Sequence, residues 1–278
     1  MLAIIKTEFY KIKRYHILLI GIFGMLCSPL LQLFSQAAVA EEYKRPHFGF
    51  ADLLETTIWG NAQVFMPVLL TLIGGYLINR EYTDDTLKNI LTVPVSYRKF
   101  MAGKLSAIGL LAMLFGVYSF AVTVIVGICV GLPGFDALVL ARGLFQMIGL
   151  SIGIYIVVLP IITVCSRRPG MFMGGSIIAF ITGYMVLFFK EGLLRNIYPY
   201  SAALTMIGFN TASYTGTSGK GSVPLAVVSL GCMLIVTILL LGISGNPGAS
   251  RSAKKTKGRE RSMRAAQRRK MDAGRGYR

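Results

Sequence analysis

Charge is what this sequence has least of: Asp, Glu, Lys and Arg make up 15% of 278 residues, where soluble globular domains carry roughly 25%. Acids are the scarcer sign, 12 against 29 Lys and Arg, which leaves a net charge of +17. The two histidines, His16 and His47, have no second His or Cys at ligand spacing, which argues against a metal site. Cys27, Cys129, Cys165 and Cys232 form no CxxC pair. They fall within or at the ends of apolar runs, where buried, unpaired, structural side chains are expected. No GxSxG, HExxH or paired carboxylate occurs in those runs. The stretch from Gly216 to Gly221 lacks both the glycine spacing of a phosphate loop and a Ser or Thr after Lys220. The chain therefore shows no ATP site and no recognisable catalytic site. Ionisable residues are nearly absent from the apolar runs, which argues against a proton- or sodium-coupled transporter.

What is abundant is apolar sequence, 54% hydrophobic with a mean hydropathy of +0.62. Six runs approach the ~20 residues that cross a bilayer as a helix, at about 17–35, 58–78, 105–130, 144–165, 171–189 and 223–243. These predict an all-α integral membrane protein with six transmembrane helices. Lys and Arg gather in short cytoplasmic loops. With the N-terminus inside, eleven of them outside the tail fall on the cytoplasmic side and six on the outer side. The predicted topology is N-in/C-in. Residues 1–243 form the transmembrane domain and 244–278 a basic, disordered cytoplasmic tail with almost no apolar residues. Such a tail suits solvent and anionic lipid, and with one aromatic and no fold to place its charges it does not read as a nucleic-acid binder.

Ahead of the first run, Leu2, Ile5, Phe9 and Ile12 recur at helical intervals among Lys6, Lys11, Lys13 and Arg14. That is the pattern of an amphipathic helix in the headgroup region; a basic topogenic flank without fixed structure is the other reading. A signal peptide cleaved near Ala38-Val39-Ala40 competes with an uncleaved first span, but the run from Ile17 exceeds the ~7–15 residues of a signal core. Between the fifth and sixth runs, residues 190–222 are too apolar for a free loop and too short to span twice. A helix-break-helix element in the outer leaflet is expected there.

Polar residues inside the runs, Asn61, Gln63, Ser119, Thr123, Gln146 and Ser151, are candidates to line a substrate route or to hydrogen-bond helix to helix. Pro67 and Pro160 free carbonyls in mid-span and are candidate hinges.

The most informative segment is the charged island from Arg80 to Lys104, between the second and third runs. Thr83 is placed to cap a helix, with Asp84 and Asp85 on its first turn, where the helix dipole favours negative charge. Leu87, Ile90 and Leu91 share one face, and Pro94 ends the helix by disfavouring helical geometry at Val93. Ser96 caps the next helix, whose first turns carry Arg98, Lys99 and Lys104. The expected result is a short cytoplasmic surface helix bent back into the third span; an ordinary hydrophilic loop would need some of the same residues.

Glu81, Thr86-Leu87-Lys88-Asn89-Ile90-Leu91, Pro94, Ser96, Arg98 and Lys104 resemble the first cytoplasmic loop of type-2 ABC exporter permeases, the membrane subunits of bacterial efflux systems for bacitracin, lantibiotics and related compounds. The resemblance covers roughly residues 1–243. It implies a non-catalytic permease in the bacterial cytoplasmic membrane, exporting a hydrophobic or amphipathic compound such as a peptide antibiotic. It further implies a dimer of permease subunits, homo- or heteromeric, and separate ABC ATPase subunits that hold ATP and magnesium, so that this chain carries no cofactor. The island would be the coupling helix, with Glu81, Asp84, Asp85, Leu87, Ile90, Leu91, Pro94 and Arg98 at the ATPase contact. The long basic tail departs from the family pattern. The alternative is a membrane scaffold or sensor that recruits a cytoplasmic protein through the same surfaces.

Overall fold

A computed structural model of the chain describes residues 7–8, 10–11, 16–40, 42, 45, 47–83, 97–165, 170–189, 192–216 and 221–243. Among these, every regular element is helical. The first half comprises α1 (Ile17–Ala38), α2 (Phe50–Gly60), a π-helical turn (Asn61–Phe65), α3 (Met66–Thr83) and α4 (Tyr97–Val130). The second comprises α5 (Ala137–Cys165), α6 (Met171–Tyr184) with a 3-10 turn (Met185–Leu187), α7 (Gly192–Ile197), α8 (Pro199–Met206), α9 (Ala212–Thr215) and α10 (Val223–Ile243). Of the expected amphipathic N-terminal helix, Thr7, Glu8, Tyr10 and Lys11 are helical and the rest lies outside the described residues.

Five helical units are long and apolar enough to cross a membrane: α1, the continuous stretch Phe50–Glu81, Arg98–Val130 of α4, α5 and α10. The remaining apolar run folds as Met171–Leu187, about 26 Å long at 1.5 Å per residue against a hydrocarbon core of ~30 Å. Several helices outrun the apolar runs that announce them. The second begins at Phe50 rather than near residue 58, α4 at Tyr97 rather than 105, and α5 at Ala137 rather than 144. Backbone hydrogen bonding continues through polar residues wherever side-chain partners or solvent accept their charge.

The bundle is built around α5, which packs against α3, α4, α6, α8 and α10. Its inner stripe, Met147, Leu150, Ile154, Val158 and Ile162, is wholly buried at helical spacing. By contrast α1 and α10 bury only 22% of their apolar windows. Leu19, Phe23 and Phe34 on α1, and Val227, Ile235 and Ile238 on α10, face outward, as lipid-facing helices do. The four cysteines are unpaired. Only Cys165 is buried, because Cys27 on α1, Cys129 near the end of α4 and Cys232 on α10 sit on exposed faces rather than in the packed interior.

The helix-break-helix element is resolved as α7 and α8, broken at Tyr198, whose extended backbone (φ −64°, ψ 122°) precedes Pro199 at the first position of α8. Tyr200 to Leu204 are buried where α8 packs on α5 and α10.

The π-helical turn lies just ahead of Pro67, which has no N–H to give to the carbonyl of Gln63. At this irregular point α6 comes unusually close, and a Cβ added to Gly183 would lie 2.2 Å from the Gln63 carbonyl oxygen. That neighbour is backbone and cannot rotate away. Gly183→Ala is therefore expected to destabilise the fold by about 1–3 kcal/mol, read as a lowered thermal midpoint in detergent. Gly174→Ala on the same helix, where a Cβ meets open space, should leave the midpoint unchanged.

Candidate functional site

The core of the charged island, residues 84–96, lies outside the described residues, and with it Asp84, Asp85, Leu87, Ile90, Leu91 and Pro94. Its two flanks are described, and they meet. Glu81, near the end of α3, accepts hydrogen bonds on Oε1 from Lys104 Nζ of α4 at 2.8 Å and from Lys11 Nζ at 3.0 Å. Glu8 closes the ring, with Oε2 3.1 Å from Lys104 and Oε1 3.4 Å from Lys11. Two carboxylates and two ammonium groups thus join three segments of chain at one end of the bundle.

Burial makes this quartet consequential. Lys104 is 2% exposed, Glu8 4% and Glu81 5%. A charge so enclosed persists only when paired, because its desolvation otherwise exceeds anything the surrounding contacts return. Lys104 Nζ also stands 5.5 Å from the ring centroid of Phe100, one turn earlier on α4. Lys11 is the most accessible member, 35% exposed at its side chain. Burial pulls its pKa down, but the hydrogen bond it donates to Glu81 and the charges of Glu8 and Glu81 outweigh that, so the net shift is upward from 10.5. A raised ammonium pKa stabilises the fold below its ordinary value and is lost as pH rises through the shifted one. Thermal midpoints measured from pH 8 to pH 12 should accordingly fall at the alkaline end, and Lys11→Gln should flatten part of that fall.

Arg98, expected at the partner contact, is exposed, yet its Nη2 donates to the Gly242 carbonyl at 2.9 Å. Gly242 is in the last turn of α10, where carbonyls lack helical acceptors' usual partners. Glu81 and Arg98 thus hold the base of the bundle together. The pattern of residues missed Glu8, although one signal was available: it is the sole acid in the first forty residues, set among Lys and Arg.

The polar residues inside the spans divide into two groups. Asn61, Ser119, Thr123 and Ser151 are wholly buried. Asn61 Nδ2 donates to Ser119 Oγ at 2.8 Å and lies 3.6 Å from Met147 Sδ, so the π-helical turn is joined to α4 and α5. Thr123 and Ser151 hydroxyls donate to the carbonyls of Ser119 and Ile148. Gln63, 5% exposed, sits on the same turn facing α6. Gln146 is different, because it lines a cavity.

That cavity, about 190 Å³, opens at the end of the bundle opposite the ionic quartet, between α2, the start of α5 and the segment after α8. Ile58 and Phe209 give it apolar walls, and Glu55, Arg142, Gln146 and Asn210 supply its polar groups. Beside it Trp59 stacks on Tyr214 at 4.6 Å between centroids and on Phe209 at 6.1 Å. Arg45 lies over the same Tyr214 ring, 5.4 Å from its centroid.

Five helices long and apolar enough to cross a membrane, α5 among them, with an ionic clamp at one end and no cluster of metal-ligating residues among the described ones, define a multi-span helical membrane protein. Residues 4–186 match the family described as ABC-2 family transporter protein, and the chain belongs to that family. The bacitracin transport permease protein BCRB of Bacillus licheniformis is 36% identical over 97 residues, which cover 34% of this chain and 46% of that protein. The match thus spans somewhat less than half of the relative's length.

Proposed function

We propose that this chain is the permease subunit of an ATP-binding-cassette exporter. It moves a hydrophobic or amphipathic compound, a peptide antibiotic in the leading version, outward across a bacterial cytoplasmic membrane. It spans six times, N-in/C-in, with α6 as the short fifth span and the ionic quartet at the cytoplasmic boundary. A separate ABC ATPase subunit holds ATP and magnesium, and a second permease subunit completes the pathway. The chain itself catalyses nothing.

The observation that carries the reading is the Glu81–Lys104 pair at 2.8 Å. It ties the helix entering the island to the helix leaving it, at the position where family members receive force from the motor. A docking helix clamped at both roots passes a push to α3 and α4 together, whereas one on slack tethers would absorb it. Lys11 and Glu8 add the N-terminal segment to the same rigid unit. Leu87, Ile90 and Leu91 form the apolar docking face, with Asp84 and Asp85 at its amino end. Asn61, Gln63, Ser119, Thr123 and Ser151 form the polar seam that rearranges when the pathway opens, and Gln146 marks its outer end.

The test is reconstitution. The chain is co-expressed with a candidate ABC ATPase subunit from the same genome, purified through a tag on the permease and placed in proteoliposomes with bacitracin as the probe. Co-purification of the ATPase and ATP-dependent movement of bacitracin support the proposal. A permease that recovers no ATPase overturns the coupling role; a complex that forms but leaves bacitracin unmoved overturns the peptide-antibiotic assignment.

A further inference from the structure

We propose that the cavity opposite the ionic quartet is a binding site for the head group of a zwitterionic phospholipid with a primary ammonium, an ethanolamine phospholipid, whose acyl chains lie along the outer face of α5. The inference requires only that the chain sits in a bilayer and is independent of transport.

Size and charge narrow the ligand first. About 190 Å³ lies below the ~300–1,000 Å³ of sites that enclose drug-sized molecules. A whole peptide antibiotic does not fit, and a phosphoethanolamine group does. The lining carries one charge of each sign, Glu55 and Arg142, which suits a dipolar ligand over an anion or a cation. Glu55 is 4.0 Å from Arg45, which lies closer to Asp52, at 3.3 Å, and it also faces the Tyr214 hydroxyl, which leaves further acceptor sites on its carboxylate. Arg142 is exposed and makes no ion pair among the described residues.

The amides then set the polarity of the site. Gln146 commits its Nε2 to the Ile207 carbonyl at 3.2 Å, so its Oε1 remains as an acceptor. Asn210 does the reverse, because its Oδ1 accepts from the Ala212 N–H at 3.0 Å and its Nδ2 remains as a donor. Two acceptors, the Glu55 carboxylate and Gln146 Oε1, are available to an ammonium that has three donors. Two donors, the Arg142 guanidinium and Asn210 Nδ2, are available to a phosphate.

Position favours a lipid over a soluble zwitterion. Arg142 is five residues into α5, about 8 Å from the helix start at 1.5 Å per residue, the depth at which arginines reach head groups. Leu138 and Phe145, four residues before and three after it, share its face of the helix and are each 74% exposed. Phe145, one turn further into the span than Arg142, then lies against acyl chains directly below a head group held by Arg142, while Leu138 lies one turn nearer the helix start.

Native mass spectrometry of the full chain, released from detergent after titration with dioleoyl phosphatidylethanolamine or dioleoyl phosphatidylglycerol, tests the proposal. The ethanolamine lipid should be retained several-fold more than the glycerol lipid. Arg142→Gln should weaken both on the order of tenfold, as loss of a charged hydrogen-bond partner does. Glu55→Gln should remove the preference while leaving phosphatidylglycerol binding intact or stronger. Glycerophosphoethanolamine, which has no acyl chains, should fail to compete. Each variant is compared at an unchanged thermal midpoint. Equal retention of the two lipids by the unaltered chain, wild-type binding by Arg142→Gln, or full competition by glycerophosphoethanolamine overturns the lipid assignment.

Discussion

Replacing Lys104 with Met is expected to destabilise the protein by about 3–5 kcal/mol, the range for breaking one side of a buried ion pair. The argument rests on what the substitution leaves behind. Methionine fills much of the volume and keeps the packing near Phe100, so little is lost to a cavity. Glu81 and Glu8, 5% and 4% exposed, lose the ammonium at 2.8 and 3.1 Å, and Lys11 alone faces two carboxylates. One of them must then take a proton or draw in water. For a chain of this size the expected fall in the thermal midpoint is on the order of 10 °C, measured in detergent at pH 7. Two controls separate charge from shape. The double variant Glu81→Gln/Lys104→Met should be less damaged than Lys104→Met alone, since it removes an orphaned charge. Lys104→Met should also regain midpoint as pH is lowered toward 5, because protonating the stranded carboxylates relieves it. A midpoint within 1 °C of the unaltered protein would show that the quartet is solvated in practice and clamps nothing.

The same network shows where the sequence was readable. The apolar runs located the helices because hydrocarbon demands about twenty apolar residues whatever they pack against, and α10 runs from Val223 to Ile243 as that rule places it. The rule misjudged where α4 begins, because Lys104 bounds an apolar run without ending a helix. Its charge is neutralised by residues 23 and 96 positions away, Glu81 and Glu8, and no local pattern contains that information. Glu81 stood out by its place in a family-like motif, which suggested a surface contact. Its burial against Lys104 and Lys11 gives it partners within this chain, which the motif itself does not announce. The cavity was less legible still. Glu55, Arg142 and Asn210 come from three separate segments, and only the fold brings them together around Gln146.

Replacing Leu91 with Asp should have the complementary effect, abolishing recovery of the ATPase while leaving the permease as stable as before. Leu87, Ile90 and Leu91 share a helical face by spacing, and a short amphipathic helix at a membrane boundary gains by burying that face in a groove on a partner. An aspartate there must be desolvated without a counter-charge. Removing a central apolar anchor costs about 2–4 kcal/mol at interfaces of this kind, which is roughly 30- to 1,000-fold in affinity at 1.4 kcal/mol per tenfold. Leu91 is not a member of the quartet, which Glu8, Lys11, Glu81 and Lys104 make among themselves. Leu91→Asp and Lys104→Met therefore separate two properties that loss of export alone would merge: the first keeps the melting temperature and loses the motor, and the second loses the melting temperature first. Glu81→Gln, placed where both roots meet, should impair both, with weaker co-purification that tracks its stability. If Leu91→Asp still recovers the ATPase and exports normally, the island is a loop between two spans, and the force that moves this permease must enter through another surface.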